Sequence, residues 1–248
     1  MTDPVPTPEG SAIRLAGRPD LEALTAAFAR DGRVRVPGVL AGDGADRLHE
    51  TLLTRVPWHL FFNDGPQLAL LDGAQMQALG PQGQQQLLAG VLERARGRMQ
   101  FLYSSFPYVA AMRAGQPVPP LLAAAFAFLN SPAVLDLVRR ISGDPAIRQA
   151  DSQAALYAPG HFLTRHSDGN GPGEDRRVAY VLNLSRDWRA DWGGQLQFLS
   201  EAGEVVESWV PGFNLLGLFR VPVPHLVTQV SAFAGGPRLS LTGWFRAD

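Results

Sequence analysis

The 248-residue chain contains no cysteine and no lysine. Without cysteine there can be no disulfide, no thiolate zinc site and no thiol nucleophile. Without lysine, all 22 basic residues are arginine, which excludes Schiff-base and lysine general-base chemistry. Any fixed cation that grips a carboxylate must then be a guanidinium. An all-arginine cation set is also what a GC-rich genome produces, and a bacterial source is expected. Net charge is scarce too: a formal value of −1 offers no basic surface to nucleic acid or to an anionic membrane. The longest strongly apolar run, Leu121 to Leu129, is far too short to cross a bilayer. Met1-Thr2-Asp3-Pro4-Val5-Pro6 lacks the basic head and apolar centre of a secretion signal. The expectation is a cytoplasmic protein.

What is present is ordinary for a globular chain with a sizeable core, 46% hydrophobic and 18% charged. Residues 1–12, rich in proline and small polar residues, are expected to form a flexible leader. Residues 13–248 are expected to form a single catalytic domain, with 13–146 mainly helical support and 147–248 the β core. Leu21, Leu24 and Phe28 share one helical face with Gly32 as the stop, and Val34, Val36 and Val39 suggest an early strand. Asp43 is placed to cap a second helix carrying Leu48, Leu52, Leu53 and Val56. A third helix, Gln82 to Arg96, aligns Leu87, Leu88, Val91, Leu92 and Ala95 in one stripe, read as core. Ser131-Pro132 is a cap and first-turn signal for a helix ending at Gly143. From about Ile147 the pattern changes to eight short β-like runs, at 153–157, 161–166, 177–184, 194–199, 204–210, 214–219, 225–230 and 238–246. Such spacing suggests an antiparallel barrel or jelly roll.

Inside the β region stands His166-Ser167-Asp168, followed at a distance by His225 and then by Arg238-Leu239-Ser240. His-x-Asp alone is a weak signal whose plain reading is a surface turn. Its setting says more. His161 to His166 reads as a strand, and Asp168 opens the loop Gly169-Asn170-Gly171-Pro172-Gly173. Residues i and i+2 of a strand point the same way, so both side chains can reach one ion. A histidine from a neighbouring strand then completes three ligands on one face, with open positions opposite. Two imidazoles and one carboxylate are the donor set of non-haem Fe(II) oxygenases. Arg238 and Ser240 share strand parity, and a planar guanidinium suits a terminal carboxylate. Plainer readings go to His49 on a helix surface, His59 in a loop, and His161, whose parity is opposite to that of Asp168. Arg176 and Arg177 flank the glycine-rich loop and read as solvated surface, with substrate contact at a mouth as the alternative.

Three stretches carry a resemblance. Tyr157-Ala158-Pro159-Gly160 runs through to His166-Ser167-Asp168. Val178 to Leu184 leads on to Trp188 and Gly193-Gly194-Gln195-Leu196, and His225-Leu226-Val227 leads through Pro237-Arg238-Leu239-Ser240 to Trp244-Phe245. In that order they resemble the 2-oxoglutarate/Fe(II)-dependent dioxygenases of the prolyl-hydroxylase type, with the ribosomal-protein prolyl hydroxylases and their bacterial relatives as the nearest flavour. The resemblance covers the C-terminal third to two-fifths of the chain. It implies a mixed α/β (α+β) fold, with a double-stranded β-helix (jelly roll, cupin-like) core braced by N-terminal helices. It implies His166, Asp168 and His225 as the catalytic ligands of Fe(II), and Arg238 with Ser240 as the seat of the distal carboxylate of 2-oxoglutarate. Tyr157 matches a tyrosine that helps to bind this co-substrate, and Trp244 a tryptophan of the pocket wall. Asn183 is a departure, standing where the hypoxia-factor prolyl hydroxylases carry another co-substrate tyrosine.

The implied reaction consumes O2 and 2-oxoglutarate, releases succinate and CO2, and hydroxylates an unactivated C–H bond, with ascorbate as an optional reductant. Asp168 disfavours halogenation, since related halogenases lack that carboxylate. A protein prolyl hydroxylase is the leading expectation. The alternatives are a free amino acid or small-metabolite hydroxylase of the same chemistry, and a non-catalytic cupin-like module that senses metal and co-substrate. A hydrolytic zinc enzyme would leave Arg-x-Ser unexplained. Expected partners are 2-oxoglutarate and a polypeptide or amino-acid substrate, with no nucleic acid and no membrane; the oligomeric state is left open.

Overall fold

The computed structural model describes residues 13–65, 67–171 and 173–248; the expected leader, 1–12, lies outside the described residues. The helices are α1 (Leu21–Asp31), α2 (Gly44–Thr54), α3 (Gly73–Ala95), α4 (Tyr108–Arg113), α5 (Pro120–Leu129) and α6 (Pro132–Ser142). The strands of the N-terminal half are β1 (Arg33–Pro37), β2 (His59–Asp64), β3 (Gln67–Leu71) and β4 (Phe101–Phe106). Those that follow are β5 (Gln149–Ala150), β6 (Gln153–Tyr157), β7 (Phe162–His166), β8 (Arg176–Leu184), β9 (Leu196–Leu199), β10 (Val205–Trp209), β11 (Phe213–Arg220), β12 (His225–Val227) and β13 (Arg238–Arg246). Each of the eight β-like runs overlaps one of these strands, β6 to β13.

Local chemistry sets several boundaries. α1 ends at Gly32, which takes the left-handed conformation (φ 68°) and returns its N–H to the Phe28 carbonyl. α6 begins where the Ser131 hydroxyl accepts from the Val134 N–H, and it stops at Gly143. Asp43 precedes α2 as expected, yet its carboxylate caps no backbone N–H. α3 starts well before Gln82, because Asp72 and Gln75 form a reciprocal capping box. It then breaks at Gly80-Pro81, where Gly80 leaves the helical region.

The expected core stripe of α3 is only half buried. The helix covers no more than the β2–β4 ribbon, so Leu87, Val91 and Ala95 pack with Phe62 and Leu102 while Leu88 and Leu92 remain exposed. Another correction concerns His59, which opens strand β2 rather than lying in a loop. The N-terminal half also supplies sheet: β4 is inserted between β6 and β7.

The antiparallel order is β1-β11-β8-β13-β6-β4-β7-β12-β9-β10. Its two ends curl towards each other, since Arg33 on β1 pairs with Glu207 on β10 and lies 4.8 Å from the Phe198 ring centre. Val178, Tyr180, Leu182 and Leu184 of β8, with Leu239, Leu241 and Phe245 of β13, pack against the helices in the main core. Ala179 and Val181, of opposite parity, belong to a second cluster inside the curled sheet. The fold is a double-stranded β-helix with helices against one sheet, as expected.

Candidate active site

A cavity of about 220 Å³ opens between the sheets, walled in part by Tyr103, Tyr157, His166, Asp168, His225, Arg238, Ser240 and Trp244. His166 closes β7 and His225 opens β12. The two strands pair with these residues opposite one another, and the rings lie 4.1 Å apart between centres. Asp168 follows just past the end of β7. Its Oδ1 is 3.6 Å from His166 Nε2 and its Oδ2 is 3.9 Å from His225 Nε2. One ligand atom from each residue falls within 4.8 Å of the others, the one such His/Asp/Glu grouping among the described residues.

Both rings are oriented from behind. His166 Nδ1 lies 3.0 Å from the Thr164 carbonyl and His225 Nδ1 lies 2.9 Å from that of Val223. Carbonyls only accept, so each Nδ1 carries a proton, and each Nε2 is turned towards Asp168. Burial, and next the neighbouring His166 ring, push the His225 pKa down to about 4. At neutral pH this imidazole is uncharged, the state a metal ligand requires.

Arg238 supplies the other pole. It is 2% exposed, its guanidinium sits 5.0 Å from the centre of the Tyr157 ring, and its Nε and Nη1 have no hydrogen-bond partner. Burial lowers its pKa from the ordinary value, yet a guanidinium stays protonated in proteins. A buried cation with unpaired N–H groups is costly to fold and is completed by an anion. Ser240, on the same face of β13, lines the same cavity. A dicarboxylate therefore fits at Arg238, and a ferrous ion fits the two-nitrogen, one-oxygen donor set.

The remaining expected residues divide. Tyr157 lies in the wall, stacked on Tyr103 at 5.0 Å. Trp244 also lines the cavity, and its indole N–H donates to Asp168 Oδ2 at 2.9 Å. Asn183 is not brought to the cavity wall: its Nδ2 makes only 3.5 Å contacts to the Val181 and Leu215 carbonyls, and its Oδ1 is buried without a partner. His161 sits outside the cavity, its pKa lowered by burial. His49 is no free surface residue, because its Nδ1 reaches the Leu184 carbonyl at 2.7 Å and ties α2 to β8. Arg177 is engaged by Asp175 and Asp144, whereas Arg176 lies 4.0 Å from the Trp244 ring centre and borders the site.

Tyr103 is the wall residue that sequence reasoning missed. It is hydrogen-bonded to Gln153, and burial raises its pKa. Its neighbours Met99 and Phe101 line the cavity as well. The aromatic-rich run Phe101-Leu102-Tyr103 to Phe106, ended by Pro107, was the available signal.

A His-Asp-His centre inside a double-stranded β-helix, with a buried guanidinium in the same cavity, is the arrangement that non-haem iron oxygenases use. Residues 152–246 match the 2OG-Fe(II) oxygenase superfamily. That match, with the His-Asp-His triad, points to Fe(II), 2-oxoglutarate and O2. The chain is 34% identical over 113 residues to the prolyl 3-hydroxylase OGFOD1 of Mus musculus, an overlap of 43% of this chain and 20% of that protein. It is 31% identical over 130 residues to the prolyl 3,4-dihydroxylase OGFOD1 of Ostreococcus tauri, covering 47% of this chain and 24% of the relative. The chain thus spans only a fifth to a quarter of the length of these relatives. Among solved structures, a Pseudomonas putida prolyl-4-hydroxylase superposes with a TM-score of 0.57 at 21% identity, over 97% of this chain and 100% of that one. A Trichoplax adhaerens prolyl hydroxylase, solved with a hypoxia inducible factor peptide fragment, gives 0.56 at 18%, over 92% and 89%. At these identities the solved structures speak for the fold.

Proposed function

We propose that this protein is a 2-oxoglutarate- and Fe(II)-dependent dioxygenase that hydroxylates a prolyl residue in a polypeptide. The observation that carries the reading is Arg238, a buried cation with unpaired N–H groups in the same cavity as His166, Asp168 and His225. Bound there, iron with 2-oxoglutarate and O2 supplies the oxidising power for C–H hydroxylation, with succinate and CO2 as co-products. His166, Asp168 and His225 hold the metal. Arg238 takes the distal carboxylate in charge-assisted hydrogen bonds, with the Ser240 hydroxyl beside it. The stacked Tyr103 and Tyr157 wall off that end and help to exclude water.

Two observations favour a polypeptide substrate over a free metabolite. Relatives that match in sequence are named a prolyl 3-hydroxylase and a prolyl 3,4-dihydroxylase. An apolar shelf also leads to the cavity. Leu70 on β3 pairs with Phe61 on β2, which pairs with Tyr103 on β4, and Leu68 and Leu70 are 60% and 43% exposed. A closed metabolite pocket has no use for such a shelf.

The test incubates the Fe(II)-loaded protein with 2-oxoglutarate and a whole-cell extract, followed by peptide mass spectrometry. Additions of about 16 Da on proline, with matching succinate release and none with Asp168→Ala, are the expected result. Modification of free amino acids alone would support the metabolite reading. Binding of metal and co-substrate without succinate would support a sensor.

A further inference from the structure

We propose that Trp244 is a positioning residue for the metal-ligating carboxylate of Asp168, and that Arg176 clamps the indole in place. The inference rests on the metal reading of the site but not on the identity of the substrate. The indole Nε1–H, 2.9 Å from Asp168 Oδ2, can only donate. It therefore occupies one carboxylate oxygen as the acceptor, leaving Oδ1, on the His166 side, to serve as a metal donor. One-oxygen ligation keeps positions on the metal open.

The indole is itself held from two sides. Its backbone N–H donates to Asp151 Oδ1 at 2.7 Å, and Gly243 before it lies so close to Asp151 that a Cβ would come within 2.5 Å of that residue's carbonyl oxygen. On the other side, the register between β8 and β13 shifts at Phe245/Arg246, and the Arg176 guanidinium stands 4.0 Å from the ring centre. A cation over an indole face is worth about 0.5–2 kcal/mol in general. The same Arg176 gathers the chain that follows Asp168: its Nη1 donates to the Gly169 carbonyl at 3.0 Å, its Nη2 to Glu174 at 3.0 Å, and its backbone N–H to Asn170 Oδ1 at 2.9 Å. The ligand, the ring that holds it and the loop behind it thus meet at one arginine.

The test uses Co(II) added to the metal-free protein, with affinity read by competition against a chelating dye and geometry read from the visible absorption bands of the bound ion. Trp244→Phe keeps the ring under Arg176 and removes only the donor. We expect its Co(II) dissociation constant to rise roughly 10- to 100-fold, as partner losses behind metal ligands generally do, and its bands to shift as the second carboxylate oxygen swings in. Arg176→Gln should change both in the same direction by a smaller factor, and it reads the same proposal should Trp244→Phe fold poorly by circular dichroism. Trp192→Phe, which removes an indole elsewhere, should change neither. Wild-type affinity and bands in both Trp244→Phe and Arg176→Gln would overturn the positioning role alone. If the wild-type protein takes no Co(II), or Asp168→Ala takes it equally well, the metal reading falls and the proposal with it.

Discussion

Burying the Arg238 guanidinium with two nitrogens unpaired is a choice that folding alone would not make. A methionine of similar length would fill the space without the desolvation penalty, and such replacements commonly stabilise proteins. For Arg238→Met we expect a metal- and co-substrate-free protein stabilised by about 1–2 kcal/mol, with its melting temperature raised by roughly 3–6 °C. The same variant should lose 2-oxoglutarate binding by about 100-fold or more, the usual cost of removing one partner of a buried charge pair. Calorimetric melts and co-substrate titration check both halves; a lower melting temperature would mean that Arg238 is structural. At this scale the sequence was readable where parity did the work. His166 with Asp168, and Arg238 with Ser240, are two apart and share a cavity. It was unreadable where a side chain's role depends on a distant neighbour. Trp244 reaches Asp168 only because β8, β13 and the end of β7 converge, and Asn183, though it pairs with Ser240 on the inner face, is not among the residues that line the cavity.

Among the elements, the eight strands from β6 to β13 were legible because turn residues bound each run, whereas the two-residue β5 was not. β2, β3 and β4 were not, since they draw their order from α3 and from insertion beside β6 and β7. The turn into β9 shows what those boundaries demand. Gly193 has φ 69° and Gly194 φ 63°, and a Cβ on Gly193 would meet the Gln229 carbonyl oxygen at 2.0 Å. Backbone in that region is nearly glycine-only, and backbone cannot yield as a flexible side chain can. A Cβ on Gly194 would crowd Trp188, Val230 and the Arg238 Cδ, all within 3.2–3.3 Å. We expect Gly193→Ala to destabilise by about 2–4 kcal/mol and lower the melting temperature by roughly 5–10 °C. Because the same turn packs beside Arg238, co-substrate affinity should fall with it. A melt within a degree or two of wild type would show that the β9 turn relaxes freely.

Across the whole molecule, two histidines tie stability to pH in one direction. His225 is depressed to about 4 from 6.5 by burial and by His166, and burial lowers His161 as well. Between pH 6.5 and 4 the unfolded chain protonates a histidine that the fold keeps neutral at His225, so the stabilising effect is full above pH 6.5 and drains away as pH falls through that window, with His161 acting in the same direction. Urea melts of the metal-free protein should show this slope, and bound metal should steepen it, because protons compete with the ion for the same imidazoles. A flat profile across the window would mean that the rings are not shielded as the fold implies. The apolar shelf belongs to this scale too, because it joins β3 at the rim to Tyr103 in the cavity across three strands. If an extended polypeptide lies along it, Leu68 and Leu70 lose exposed area against apolar residues flanking the target proline. Partial burial of two leucines is worth about 1–2 kcal/mol, or roughly tenfold in affinity. Replacing both by glutamate should therefore raise KM for a long peptide by about tenfold or more, and the increase should shrink as the peptide is shortened to a dipeptide that cannot reach β3. An equal effect on long and short substrates would place the disturbance in the cavity itself, and the shelf would then be ordinary exposed surface.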